Sequence, residues 1–140
     1  MDEQVKRMLM RSAMDHLGNA YAPYSGFFVS AALLTEDGSV FYGVNCENAS
    51  YPSGICAERA AFSAAVSAGH RRFAAIAIVG GKQGKIEGIC APCGICRQVM
   101  REFCDPAAFL ILLGTGEDDI REYTLDALLP ESFGPANLGR

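Results

Sequence analysis

The chain is short of basic residues, has almost no histidine and has no tryptophan. Lysine and arginine number 12 against 16 acidic residues, giving a net charge of −4 at neutral pH, with a pI of about 5.1. Tracking a phosphate backbone needs clustered Lys and Arg, and gripping single strands needs stacking surface as well. A chain with 9% aromatic residues and this charge balance offers neither. That argues against a nucleic acid, and against an anionic membrane, as partner. No apolar run is long enough to cross a bilayer, and Met1-Asp2-Glu3-Gln4-Val5-Lys6 is not an apolar leader. A soluble, cytoplasmic protein is the expectation. The histidines, His16 and His70, have no ligand-like neighbours and read as structural.

What the chain does have is apolar mass and cysteine. With 140 residues, 50% of them hydrophobic, it is long enough to bury one sizeable core. One domain spanning residues 1–140 is expected. Its six cysteines are Cys46, Cys56, Cys90, Cys93, Cys96 and Cys104. In a reducing compartment, clustered cysteines more often bind metal or do chemistry than staple a fold.

Periodicity and turn residues predict the elements. A first helix is expected over about 2–19, with Val5, Met8, Leu9, Ser12, Ala13, His16 and Leu17 on one face. Phe27 to Leu34 and Val40 to Asn45 read as a hairpin turned at Glu36-Asp37-Gly38. A helix over 56–68, a strand over 73–79 and a turn-rich Gly80-Gly81-Lys82-Gln83-Gly84 follow. Then come a helix over 93–103, strands over 109–113 and 120–123, a short helix capped by Thr124, and a tail from Pro130. Strands alternating with helices after an opening hairpin give an α/β class, a three-layer α/β/α domain around a mixed five-stranded central sheet.

Chemistry gathers at two helix starts: Cys56-Ala57-Glu58, and Pro92-Cys93-Gly94-Ile95-Cys96. Zinc favours thiolate in a tetrahedron, and a catalytic site keeps the fourth position open. Thiols at helix N-termini ionise more easily, because the dipole and free amides favour the anion. Zinc can lower the pKa of water from 15.7 to about 7, but three thiolates work against this by donating charge. Arg59 and the helix dipoles are the compensating groups, with Arg59 expected to hydrogen-bond the sulfurs. Glu58 is the acidic residue inside these motifs and can move protons beside the metal. Cys90 leaves an ambiguity. Pairing it with Cys93 is an equally spaced alternative, and as a fourth ligand it would close the site into a structural one. Pro92, which marks the helix start, favours Cys93 and Cys96. Cys46 and Cys104 read as ordinary buried thiols.

The pattern of Cys-x-Glu followed by Pro-Cys-x-x-Cys matches the known signature of zinc nucleobase deaminases. Nearly the whole chain resembles the small nucleoside cytidine deaminases. The matching stretches are Tyr21-Ala22-Pro23-Tyr24-Ser25, Asn45-Cys46-Glu47-Asn48-Ala49, Cys56-Ala57-Glu58-Arg59, Pro92-Cys93-Gly94-Ile95-Cys96-Arg97-Gln98 and Leu128-Leu129-Pro130-Glu131-Ser132-Phe133. Cys46, at a position more often aliphatic, and Ala91, in place of a frequent Ser or Thr, are the departures.

The resemblance implies one Zn2+ per chain and hydrolytic deamination of cytidine and 2′-deoxycytidine. Glu58 would take a proton from the attacking water, protonate N3 and later pass a proton to the leaving amine. Asn45 and Glu47 would clamp the ribose 3′-hydroxyl, and Phe27 would pack on the pyrimidine. The Ala57 amide would hold the base carbonyl, and the Ala91 carbonyl would face the amine. A homotetramer is implied, with Tyr51 and Phe133 at intersubunit contacts. Three other readings stand beside it. A deaminase of a modified cytosine nucleoside, such as the blasticidin S type, would lack the full Asn-x-Glu clamp. A nucleic-acid editor would show salt-dependent binding to single strands. A non-catalytic zinc-bearing binding protein would show no turnover.

Overall fold

A computed structural model describes residues 1–140. The elements are α1 (Glu3–His16), β1 (Phe27–Thr35), β2 (Val40–Val44), α2 (Ala57–Ser67), β3 (Phe73–Lys82), α3 (Gly94–Phe103), β4 (Leu110–Gly116), β5 (Asp119–Thr124) and α4 (Leu125–Leu128). The five strands form one sheet in the order β2-β1-β3-β4-β5. β1 runs antiparallel to β2 and β3, β3 is parallel to β4, and β5 returns antiparallel. This is the mixed sheet expected from the strand–helix alternation.

Period-2 patterning sorts the strand residues between two cores. Ala32, Leu34, Ala75, Ala77, Val79 and Leu112 face α1 and meet its Leu9, Met10 and Ala13, with Leu17 just beyond its end. Their neighbours Ala31, Leu33, Ile76, Ile78, Ile111 and Leu113 face the other way, onto Ala61, Phe62, Ala65 and Met100 of α2 and α3. Three layers result. Phe62 anchors the second core, edge-on to Phe73 at 4.9 Å and stacked on Phe103 at 5.9 Å. Burying a side chain of this size stabilises by about 1.5–3 kcal/mol.

Several boundaries differ from expectation. The first helix ends at His16 and tightens into a 3₁₀ turn over Leu17–Asn19. Its buried stripe is Lys6, Leu9, Met10 and Ala13, whereas Met8 is 42% exposed. Lys6 is tolerated inside because its Nζ pairs with Glu122 at 2.6 Å and Glu3 at 3.0 Å. Gly80 and Gly81, expected in a turn, continue β3. A Cβ at Gly81 would lie 1.7 Å from the carbonyl oxygen of Lys85, so glycine lets the returning chain pass over the strand. The turn itself falls at Gln83 and Gly84, where φ is 54° and 80°. β2 stops at Val44, β4 runs on to Gly116, and the tail contains a 3₁₀ turn over Pro135–Leu138. Thr124 caps α4 through the Ala127 amide, as expected. No helix is long and apolar enough to cross a membrane.

Candidate active site

The site is built where two helices begin beside the end of β2. Past β2 the chain threads between two partners. Tyr21 N–H donates to Asn45 O at 2.9 Å and Glu47 N–H to Tyr21 O at 2.8 Å. On the other side Cys46 and Ile55 exchange both backbone bonds at 3.0 Å. This small ladder holds Asn45, Glu47 and Cys56 in one register. Gly43 allows α2 to close onto β2, since a Cβ there would lie 2.2 Å from Ala57 O and 2.4 Å from Ala61 N.

Cys56 is the N-cap of α2 and Cys93 the N-cap of α3, and neither makes a side-chain cap bond. Their sulfurs therefore sit beside helix-start amides that lack intrahelical partners. The Cys56 and Cys93 sulfurs are 4.0 Å apart, and those of Cys93 and Cys96 3.5 Å. All three lie within 4.8 Å of one another. A tetrahedral zinc with bonds of about 2.3 Å needs sulfurs about 3.8 Å apart, so the set suits Zn2+ in spacing and donor type. Cys90 is not among the converging sulfurs. It packs at the edge of the core, where a Cβ on Gly80 would lie 2.9 Å from its Sγ. Burial pushes its thiol up to about 11.

Cys56 and Cys96 ionise differently. Cys56 falls to about 5, because the adjacent Cys96 thiol and Arg59 stabilise its thiolate. Cys96, which lies beside the Cys56 thiolate and is buried, is pushed up. Arg59 Nη2 lies 3.8 Å from Cys56 Sγ, so the expected contact to a sulfur is made. Its Nε is buried without a partner. Glu58, 4% exposed, is raised to about 7, first by burial and then by the Cys56 thiolate. A carboxylate near neutrality can both accept and donate a proton at working pH.

A cavity of about 380 Å³ opens onto these groups, lined among others by Val29, Asn45, Glu47, Tyr51, Ala57, Glu58, Arg59 and Ala91. That is within the usual size for a small-molecule site. Asn45 uses its carboxamide to extend the β1 ladder, accepting from Val29 N–H and donating to Phe27 O, both at 2.8 Å. One amide hydrogen and one lone pair remain. The Glu47 carboxylate accepts from the amides of Tyr24 at 2.9 Å and Ser25 at 3.0 Å, and from the Ser25 hydroxyl. The Ser25 hydroxyl and amide hold it below the usual carboxylate range.

Phe27 and Phe133 are not brought into this lining. Phe27, 42% exposed, starts β1 two residues before Val29 and so shares its face. Phe133 is 59% exposed and is held through its carbonyl, which accepts from Gln98 Nε2 at 2.8 Å. Tyr51 lines the cavity yet is 76% exposed, edge-on to Tyr24 at 5.9 Å. Cys46, expected buried, is exposed, because its segment beyond β2 is held by backbone bonds rather than by packing. Cys104 is buried as expected. Val29 and the Ser25 anchor of Glu47 escaped sequence reading, since neither carries a polar pattern that marks it out.

Comparison with known proteins agrees with this geometry. Residues 3–112 match the family model for the cytidine and deoxycytidylate deaminase zinc-binding region. A cytidine deaminase of Halalkalibacterium halodurans is 47% identical over 128 residues, covering 91% of this chain and 93% of its own. One from Mycobacterium tuberculosis is 38% identical, covering 95% and 92%. The crystal structure of cytidine deaminase from Burkholderia pseudomallei superposes with a TM-score of 0.82 at 45% identity, covering 95% of this chain and 100% of that one.

Proposed function

The chain belongs to the cytidine and deoxycytidylate deaminase family, and from that premise we propose that it hydrolyses cytidine and 2′-deoxycytidine to uridine and 2′-deoxyuridine with release of ammonia. The observation that carries the reading is Glu58, buried on the wall of an open cavity beside three converging sulfurs. Cys56, Cys93 and Cys96 hold one Zn2+ per chain, which supplies a Lewis acid that makes water nucleophilic near neutral pH.

The chain's own residues do the rest. Glu58 takes a proton from the attacking water and gives it to ring N3. After C4 is attacked, Glu58 takes the remaining proton from the new C4 hydroxyl and passes it to the exocyclic amine, which leaves as ammonia as the C4 carbonyl forms. Arg59 and the starts of α2 and α3 offset the thiolate charge. The remaining Asn45 amide hydrogen and the anchored Glu47 carboxylate take the ribose 3′-hydroxyl. Phe27 packs on the pyrimidine, the Ala57 amide holds the base carbonyl oxygen, and the Ala91 carbonyl faces the leaving amine.

The working form in this reading is a homotetramer, with Tyr51 and Phe133 reaching across subunits. One feature supports it: both rings are more than half exposed in one chain. The physiological setting is cytoplasmic pyrimidine salvage, which accords with six free cysteines.

The test is ultraviolet-monitored conversion of cytidine by purified protein, with zinc quantified in the same sample. Turnover at about one zinc per chain, as for a mononuclear site, is the expected result. A full zinc complement with no turnover on either nucleoside overturns the substrate assignment. Turnover without zinc overturns the metal site.

A further inference from the structure

Arg97, in the first turn of α3, turns its side chain back to bond the loop carrying Cys93. Its backbone amide closes the first turn of the helix onto Cys93 O at 3.0 Å. Its guanidinium then makes two bonds. Nε donates to Pro92 O at 2.7 Å, and Nη1 donates to Leu128 O at 2.5 Å.

The Pro92 carbonyl belongs to the peptide plane that enters Cys93. That plane is rigid, and the proline ring already fixes φ of Pro92. The soft rotation left at this junction is ψ of Pro92, which swings the carbonyl and carries Cys93 with it. A hydrogen bond to that carbonyl restrains this dihedral. Pro92 is buried, so leaving its carbonyl unpaired is unfavourable.

The other end of the bridge is firm. Leu128 ends α4, whose Leu125 is fully buried in the core. The last carbonyls of a helix lack intrahelical partners, so Leu128 O is a ready acceptor. The guanidinium is planar, so its two donors stand in a fixed relation. Arg97 thereby ties the cysteine loop to the end of α4 while making no hydrogen bond to any sulfur.

We infer that Arg97 is a positioning residue for the metal site: it locks the Pro92–Cys93 peptide so that the Cys93 sulfur stays with those of Cys56 and Cys96, and so slows metal release. The role rests on reading the sulfur cluster as a zinc site.

The experiment is transfer of zinc from the loaded protein to excess chromogenic chelator, timed for wild type, Arg97→Ala, Arg97→Lys and Arg101→Ala. Arg101, one turn on, also fastens the C-terminal segment, through Ser132 Oγ at 2.9 Å, but makes no bond to the cysteine loop. Arg97→Ala is expected to release zinc about tenfold faster or more, the usual scale for losing a group that orients a metal ligand. Arg97→Lys, a point donor that cannot span both carbonyls in one plane, falls between. Arg101→Ala keeps the wild-type rate.

Wild-type release from Arg97→Ala overturns the inference, and so does equal acceleration by Arg101→Ala, which would mean general loosening of the segment. If the alanine variant does not fold, Arg97→Lys decides, and a wild-type rate there overturns it. A wild-type protein that takes up no zinc defeats the zinc site itself, an outcome distinct from loaded wild type with an indifferent Arg97.

Discussion

At the scale of single residues, the site depends on groups whose environment was changed by folding. Glu58 is buried and raised to about 7, so removing it should abolish proton transfer and little else. Glu58→Ala is expected to fold, to keep its zinc and to lose at least about 10²–10⁴-fold in kcat, the range for general acid–base catalysis. Substantial turnover in a zinc-loaded sample of that variant would sink the mechanism. Arg59→Ala removes the cation 3.8 Å from Cys56. Zinc affinity should fall about 10–100-fold, read by competition with a chelator of known strength. Unchanged affinity and activity mean that Arg59 does not tune the sulfurs.

The elements act by placing chain ends. α2 can approach β2 only because residue 43 has no side chain, as the 2.2 Å clearance to Ala57 O shows. Gly43→Ala should push the start of α2 outward, destabilise the fold by about 1–3 kcal/mol as overpacking does, and weaken zinc retention through Cys56. Thermal unfolding and chelator release read the two effects separately; loss of stability with undisturbed zinc release would uncouple them. At the opposite face, α1 is tied to the β4–β5 turn by Arg11–Glu117 at 2.8 Å and Arg7–Asp118 at 2.7 Å. The Arg11 hydrogen bond holds Glu117 below its ordinary 4.5. A carboxyl lowered on folding contributes stability above its unfolded pKa and loses it as pH falls through the folded one. The stability difference between wild type and Arg11→Ala should therefore be constant above pH 4.5 and shrink as the solution is acidified. It should also shrink with added salt, because the Arg11 side chain of the pair is exposed. A difference that grows in acid contradicts the pairing.

For the whole molecule, the question is whether one chain is complete. Tyr51 and Phe133 stand out from the surface, Tyr51 in the lining of the cavity and Phe133 outside that lining. In the tetramer reading, Phe133→Ala should raise KM and weaken assembly while leaving zinc content intact. Native mass of the wild type is expected at about four times the 14.9 kDa chain. A fully active monomer would remove both residues from the site.

The chemistry of this protein could be read from the sequence because it rests on local spacing. Cys56-Ala57-Glu58 and Pro92-Cys93-Gly94-Ile95-Cys96 announce a thiolate metal site at helix starts, since capping positions and helix-start amides are defined within a few residues of chain. The alternation of strands followed in the same way from periodicity. What spacing could not decide was distance between segments far apart in sequence. Cys90 and Cys96 flank Cys93 at equal intervals, and only the packing of Cys90 against Gly80 and the core takes it away from the other sulfurs. Gly80-Gly81 has the composition of a turn but becomes strand, because β1 lies alongside to pair with it. Cys46 has a buried residue's chemistry in an exposed place. Arg97 looks like any helical arginine until Pro92 and Leu128 present their carbonyls to one guanidinium. The local hydrogen-bonding and ionisation preferences of each segment are properties of the sequence, whereas which polar atoms and side chains are left facing one another is settled only when the sheet and helices pack.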